Sequence, residues 1–405
     1  MLELAQIKKL LSQYTLQDVI DFTLPPTQDI MIPCSSSIAE TLRFMGQQNI
    51  ISAPVYKQPE NISSDSVPEV FDIVSLIDVC NYIVYKDNIN EEINHQNLTT
   101  KAYDNSVFSN PISDVVYKKD TIVGKISGDT PLLQVIADLV QDKYNYALVN
   151  PVHKSHNDSE NKDLAELKDI PQSGTKDKER KDISNLELLE FKSRNTVVMV
   201  KRHDILKFLN SINEQLQQVL DLSVECLIKM LFSKNHHEGE GNSGTSLLLN
   251  SFKRSYTNLD NPCHDMILQR NPPSRLQDIL YITPNTTALQ GYKILLYNEI
   301  SSLPVLDQNF CFIAELDISH FHHLSRNNVG LLGKPVLAFI SGLRSTSASS
   351  ELVKRPWFCS NSFTLNQIMF GMINSGYRQS WVLDSSNHIN AVLSIVDILD
   401  VFSKL

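Results

Sequence analysis

The chain has 405 residues, 42% of them apolar and 20% charged, the balance of a soluble globular protein with a sizeable core in two or three domains. A formal charge of −10 excludes a broad nucleic-acid or acidic-membrane footprint, since either needs concentrated Lys and Arg. Six cysteines (Cys34, Cys80, Cys226, Cys263, Cys311 and Cys359) lie far apart without a C-x-x-C pair, which fits reduced thiols in a cytoplasmic or nuclear protein better than a disulfide framework or a zinc site.

Residues 1–15 read as a helix whose apolar run is broken by Glu3, Lys8 and Lys9, so they do not make a secretory signal. No apolar stretch reaches the length of a membrane span, and no membrane partner is expected. The first repeat, 16–86, predicts a helix from Ser37 through Met45 to Gln48, a strand over Ile50–Tyr56, a polar interval over 58–68, a strand over Val70–Val74 and a helix over Asp78–Tyr85. The second, 112–212, predicts Asp129 as an N-cap with Pro131 in the first turn, a helix over Leu132–Gln141, and strands Tyr146–Val149 and Thr196–Val200. Between those strands the insertion 153–190 is rich in Lys, Asp, Glu, Asn and Ser, and its composition predicts disorder. Apolar periodicity continues over Ser211–Leu220, yet 213–275 as a whole reads as a linker, with a polar stretch at 233–244. The third repeat, 276–328, predicts a helix over Thr286–Tyr297, strands Ser302–Leu306 and Phe310–Glu315, and a helix from Asp317. The fourth, 331–405, predicts a strand at Trp357–Cys359, a helix over Thr364–Asn374, strands Ser380–Leu383 and Ala391–Ser394, and a helix from Asp397.

One supersecondary unit therefore recurs four times, each ending in an aspartate at the start of an amphipathic helix: Asp78, Asp204, Asp317 and Asp397. Such a unit cannot bury its apolar face alone and gains a core by pairing with a copy. Pairing in chain order makes two modules, and each half, 16–209 and 276–405, is expected to fold by itself.

The segments Ile51-Ser52-Ala53-Pro54-Val55, Ile300-Ser301-Ser302-Leu303-Pro304-Val305-Leu306-Asp307 and Ser394-Ile395-Val396-Asp397-Ile398-Leu399 resemble the signature segments of CBS domains. Four such units resemble the gamma subunit of AMP-activated protein kinase and its fungal and plant relatives. The resemblance implies an α/β (α+β) fold: four βαββα units, paired into two modules in a disc-like assembly. It also implies that the aspartate contacts the ribose of an adenine nucleotide and that a Ser or Thr three residues earlier lies near phosphate or ribose. Carried over, those positions are Asp78 with Ser75, Asp204, Asp317 and Asp397 with Ser394; Lys201 and Ala314 stand where the other two hydroxyls would be. The family's phosphate-binding cation is matched by Arg378, which makes the fourth unit the best-equipped half-site.

Each residue also has a plain structural reading. A carboxylate in the first turn caps a helix, and Ser-x-x-Asp is a capping box. Arg378 can equally cover apolar surface with its stem. His320 and His323 share a helix face, but no nearby Cys, Asp or Glu completes a metal site, and Cys263-His264-Asp265 lacks the glycine-flanked elbow of a nucleophile. With no phosphate loop, dinucleotide fingerprint or zincin helix, the chain reads as no enzyme. A CBS pair appended to an enzyme is disfavoured, since no segment is left to carry a catalytic domain. The expected function is non-catalytic: sensing of AMP, ADP or ATP as a regulatory ligand, with no cofactor, to modulate a partner protein kinase. The alternative is a nucleotide-independent scaffold for a kinase or phosphatase.

Overall fold

The computed structural model describes residues 4–23, 31–57, 69–85, 105–116, 123–141, 146–150, 198–232, 279–346 and 355–404. The insertion 153–190, residues 233–275 of the expected linker and the Cys263-His264-Asp265 triplet lie outside them.

Two short helices, α1 (Leu4–Leu11) and α2 (Leu16–Thr23), come before the first unit. That unit consists of β1 (Ile32–Pro33), α3 (Ile38–Gln47), β2 (Ser52–Lys57), β3 (Glu69–Ser75) and α4 (Leu76–Val84). Next come a short helix α5 (Ser113–Val116) and the second unit: β4 (Val123–Ser127), α6 (Leu132–Val140), β5 (Tyr146–Asn150), β6 (Val198–Val200) and α7 (Arg202–Ser211). Residues 213–232, expected as linker, are two further helices, α8 (Asn213–Leu220) and α9 (Val224–Phe232), which bury Leu216, Val219, Leu220, Val224 and Leu227. The third unit holds α10 (Ala288–Tyr297), β7 (Ser302–Leu306), β8 (Phe312–Asp317) and a 3-10 turn at Ile318–His323, and is followed by α11 (Val336–Thr346). The fourth holds β9 (Phe358–Cys359), α12 (Leu365–Ser375), β10 (Gln379–Leu383), β11 (Ile389–Ser394) and α13 (Ile395–Ser403).

All four units share one strand pattern, a first strand or single bridge parallel to the second and a third strand antiparallel to it. Three of them slip register at the same place, after Val55, Val305 and Val382. The first helix of three units starts on a capping box, Ser37 with Glu40, Thr287 with Gln290 and Thr364 with Gln367. In the second unit Pro131 occupies the cap position itself, without a side-chain bond; Asp129 does not serve. The same helices stop through a left-handed residue in three units, Asn49, Glu299 and Gly376.

Of the short helices outside the repeats, α2 and α9 pack on a unit that is not their sequence neighbour, whereas α5 and α11 fold back on the unit they follow. Helix α2, expected within the first unit, docks on the second: Leu16 N–H donates to Thr130 O, and Thr15 bridges Pro131. In the same way Pro111, before α5, bridges Ser37 of the first unit. Ser223, before α9, bridges Thr364 of the fourth, and Pro335, before α11, bridges Thr287 of the third.

The large cores also cross the chain halves. One gathers Val74, Val79 and Ile83 of the first unit with Tyr292, Leu303 and Phe321 of the third; the other gathers Leu132, Ile136 and Leu209 of the second with Leu365, Ile398 and Phe402 of the fourth. The expectation that each half carries its own core is therefore corrected. Strands of the third and fourth units meet through a smaller cluster of Ile279, Tyr281, Leu306, Trp381 and Ile389.

Candidate functional site

The aspartates sit where a strand hands over to a helix. Asp78, Asp204 and Asp397 are each the third helical residue, and each carboxylate accepts the backbone N–H three residues earlier, from Ser75 (2.8 Å), Lys201 (2.9 Å) and Ser394 (2.7 Å). The Ser75 and Ser394 hydroxyls donate to the same oxygens at 2.6 and 2.7 Å. Asp397 is buried, and burial pushes its carboxyl up to about 6. In the second unit the Lys201 side chain replaces the hydroxyl and donates to Ser52 O of the first unit at 3.4 Å. Its burial pushes that ammonium down.

The third unit departs from the carried-over register. Strand pairing sets Asp317 opposite Ser302, as Ser75 faces Ser52 and Ser394 faces Gln379. The next residue repeats the match: Ile318, Leu76 and Ile395 N–H donate to Ser301, Ile51 and Arg378 carbonyls. Asp317 is thus the cap residue itself, accepting Ser319 N–H at 2.7 Å, and the position equivalent to Asp78 and Asp397 is His320. His320 is buried, its Nδ1 faces Asp317 N–H at 3.3 Å, and burial pushes the ring down to about 4. The sequence assignment of Asp317 is corrected by three residues. Asp and Ser both cap helices and His can fill the third position, so pattern alone accepts either register.

Arg378 does not sit on the Ser394–Asp397 pair through its guanidinium: Nη2 lies 3.6 Å from Asp317 Oδ2, while its carbonyl starts α13. The expected Asp397, Ser394 and Arg378 grouping is thereby divided between two places.

A cavity of about 260 Å³ opens between the third and fourth units. Ala314, Glu315, Asp317, Ser319 and His320 line one side, Leu337, Ile340, Ser341 and Arg344 of α11 another, and Pro356 and Tyr377 of the fourth unit complete it. Glu315, Arg344, Tyr377 and the two serines were not singled out from the sequence; Arg344 and Ser341 lie one helical turn apart on α11, a signal that becomes readable only once α11 is known to dock here.

Glu315 is the buried acid of this wall. Its Oε1 accepts Trp381 Nε1–H at 2.9 Å and Gln379 Nε2–H at 3.3 Å, and the Gln379 amide also reaches the Ser302 hydroxyl. Desolvation, then the Asp317 charge, raise its carboxyl to about 7 despite the indole, the Ser302 hydroxyl and Arg378. Burial likewise keeps the Tyr377 hydroxyl protonated. The site therefore presents the half-buried Asp317 carboxylate with Arg378 beside it, the Arg344 guanidinium, hydroxyls and apolar walls, the mixture that fixes a small polar ligand in orientation.

Of the histidines His320 and His323 that share a helix face, His320 is committed to the helix start, and between them His322 places Nε2 2.8 Å from Ile50 O of the first unit. Among the described residues no three His, Cys, Asp or Glu side chains gather as a metal site, and no helix is long and apolar enough to cross a membrane.

No family model matches the chain, and no curated protein matches it. Among solved structures, a Methanocaldococcus jannaschii protein, proposed as an archaeal homolog of g-AMPK, is 11% identical with a TM-score of 0.51, covering 95% of this chain and 99% of that one. A CBS-pair protein from Arabidopsis thaliana is 16% identical over 34% of this chain and 90% of its own, with a TM-score of 0.22. CBSX2 in complex with AMP is 18% identical over 31% of this chain and 87% of its own, with a TM-score of 0.24. CBS-domain proteins are among the structural neighbours, and the full-length likeness to the Methanocaldococcus jannaschii protein establishes the α+β fold across nearly the whole chain.

Proposed function

We propose that this chain is a non-catalytic regulatory protein that holds an adenine nucleotide between its third and fourth units and thereby modulates a partner protein kinase. The observation that carries the reading is the lining of the inter-unit cavity: Asp317 supplies an acceptor for ribose hydroxyls, Arg344 a planar fork for phosphate, and Ile340, Pro356 and Tyr377 apolar surface for a base. A ligand seated between two units shifts their arrangement only by the difference in its affinity for the alternatives. The kinase is supported by the four-unit layout and by the segments resembling kinase gamma subunits. The cysteine pattern supports a cytoplasmic or nuclear setting.

One observation favours the scaffold reading as an alternative. The carboxylates of Asp78, Asp204 and Asp397 are already engaged in capping, Asp317 likewise caps Ser319 and lies beside Arg378, and Lys201 of the second unit reaches Ser52 of the first. On that reading the partner, a kinase or a phosphatase, is bound without nucleotide.

Calorimetric titration of the full chain with AMP, ADP, ATP and S-adenosylmethionine separates the two. Asp317→Asn keeps a capping acceptor while removing the charge, so it and Arg344→Gln should each weaken nucleotide binding about tenfold or more with little change in melting. Asp397→Ala should instead cost about 1 kcal/mol of stability and leave affinity within a factor of two, unless its own unit binds ligand as the sequence suggested. No heat with any nucleotide overturns the proposal in favour of the scaffold, and affinity purification then identifies the partner.

A further inference from the structure

The hairpin tips of the third and fourth units meet. The β7–β8 turn is organised by Asp307, whose Oδ1 accepts Asn309 and Cys311 N–H at 2.8 and 2.9 Å. The β10–β11 turn repeats this with Asp384, which accepts Ser386 and His388 N–H at 2.8 and 2.9 Å. Like turns in like units face each other: Cys311 bridges His388 antiparallel, and Phe312 N–H donates to Asn387 O at 2.8 Å.

That pairing sets three side chains in line. Cys311 Sγ lies 3.8 Å from His388 Nε2, and His388 Nδ1 lies 3.5 Å from Asp384 Oδ2. Two carbonyls close the site: Ser386 O accepts the thiol S–H at 3.4 Å, and Asn309 O, 3.2 Å from Nε2, accepts a ring N–H there unless the Asp384 carboxylate holds the ring proton on Nδ1, the tautomer that turns the Nε2 lone pair to Sγ. Backbone N–H groups of His388 and Ser386 hold the Asp384 carboxyl below its ordinary range, so a fixed negative charge stands behind the ring. Burial and the charges of Asp307 and Asp384 push the Cys311 thiol up, so the resting group is the thiol and its proton must leave during attack. A thiol, a base within reach and a carboxylate orienting that base is the arrangement that makes a weak nucleophile competent.

We infer that Cys311 is a covalent modification site for small soft carbon electrophiles, with His388 as the general base and Asp384 as the positioning residue. With iodoacetamide as the electrophile, the S–C bond forms as the C–I bond breaks, iodide leaves with its electron pair, and the thiol proton passes to His388 Nε2 and then to water. The plain reading is that hairpin packing alone brings Cys311 and His388 together; it supplies no rate advantage.

The full chain carries its own reference, because Cys226 on α9 is exposed. Alkylation with limiting iodoacetamide near neutral pH, followed by peptide mass spectrometry, should label Cys311 about tenfold or more faster than Cys226. His388→Gln and Asp384→Asn should each slow Cys311 by about tenfold while leaving the Cys226 rate unchanged. Asp384→Asn retains an amide oxygen for the turn, so it serves if His388→Gln does not fold, and circular dichroism records the fold of both. The pH profile of the Cys311 rate should flatten in His388→Gln. Equal rates at Cys311 and Cys226, or a Cys311 rate indifferent to both substitutions, would overturn the assignment.

Discussion

Glu315 shows how one side chain can tie the inter-unit cavity to proton concentration. Its folded carboxyl, raised to about 7 from an ordinary 4.5, binds more protons than the unfolded chain between those values, so its contribution to stability falls as pH rises through that window. Below about 4.5 both states are protonated and the penalty vanishes; above about 7 the folded protein carries the full cost of a buried charge. Glu315→Gln should flatten the decline of melting temperature across this interval and leave the variant more stable at pH 8 by on the order of 1 to 3 kcal/mol. A melting curve that declines as steeply as the parent's would show that Trp381 and Gln379 stabilise the anion more than burial opposes it. The residue types themselves were visible in the sequence: serine and aspartate three apart predicted capping boxes, and Ser75–Asp78 and Ser394–Asp397 form them. The placement of Asp317 was not visible, because the three-residue shift depends on where β8 stops pairing with β7.

At the scale of elements, most helices and strands of the repeats lie where periodicity put them, since each has its own caps, turn residues and apolar face, but strands β1 and β4 were not read from the sequence and the helix expected from Asp317 is a 3-10 turn. What periodicity left open is where an amphipathic helix docks. Helices α2, α5, α9 and α11 carry apolar residues that local sequence cannot assign: α2 and α9 pack on units that are not their sequence neighbours, while α5 and α11 pack back on the unit they follow. Leu16 on α2 is fully buried in the core shared by the second and fourth units. Leu16→Ala should therefore cost about 2 to 5 kcal/mol in urea denaturation, the loss of a core leucine. A cost below about 1 kcal/mol would mark α2 as a detachable arm. The candidate site was half legible for the same reason. Asp317 and Arg378 were named from the sequence, whereas Arg344 and Ser341 belong to α11 and join the cavity only through its docking.

For the whole molecule, the two large cores cross the boundary between chain halves, the first unit with the third and the second with the fourth. Residues 1–232 or 279–405 expressed alone would each leave half of two cores facing water, so neither should show a cooperative thermal transition, and mixing them should restore one. Cooperative melting of either half alone would return the molecule to two self-sufficient modules. The sequence by itself determined the repeat, most of its strand and helix order and the chemistry at the closing helix starts of the first, second and fourth units, because these depend on neighbours within a few residues. Tertiary structure decided the partner of each apolar face, the register of the third unit and the lining of the cavity. Burial is non-directional and any apolar stripe satisfies another, so only the packed chain selects among the pairings.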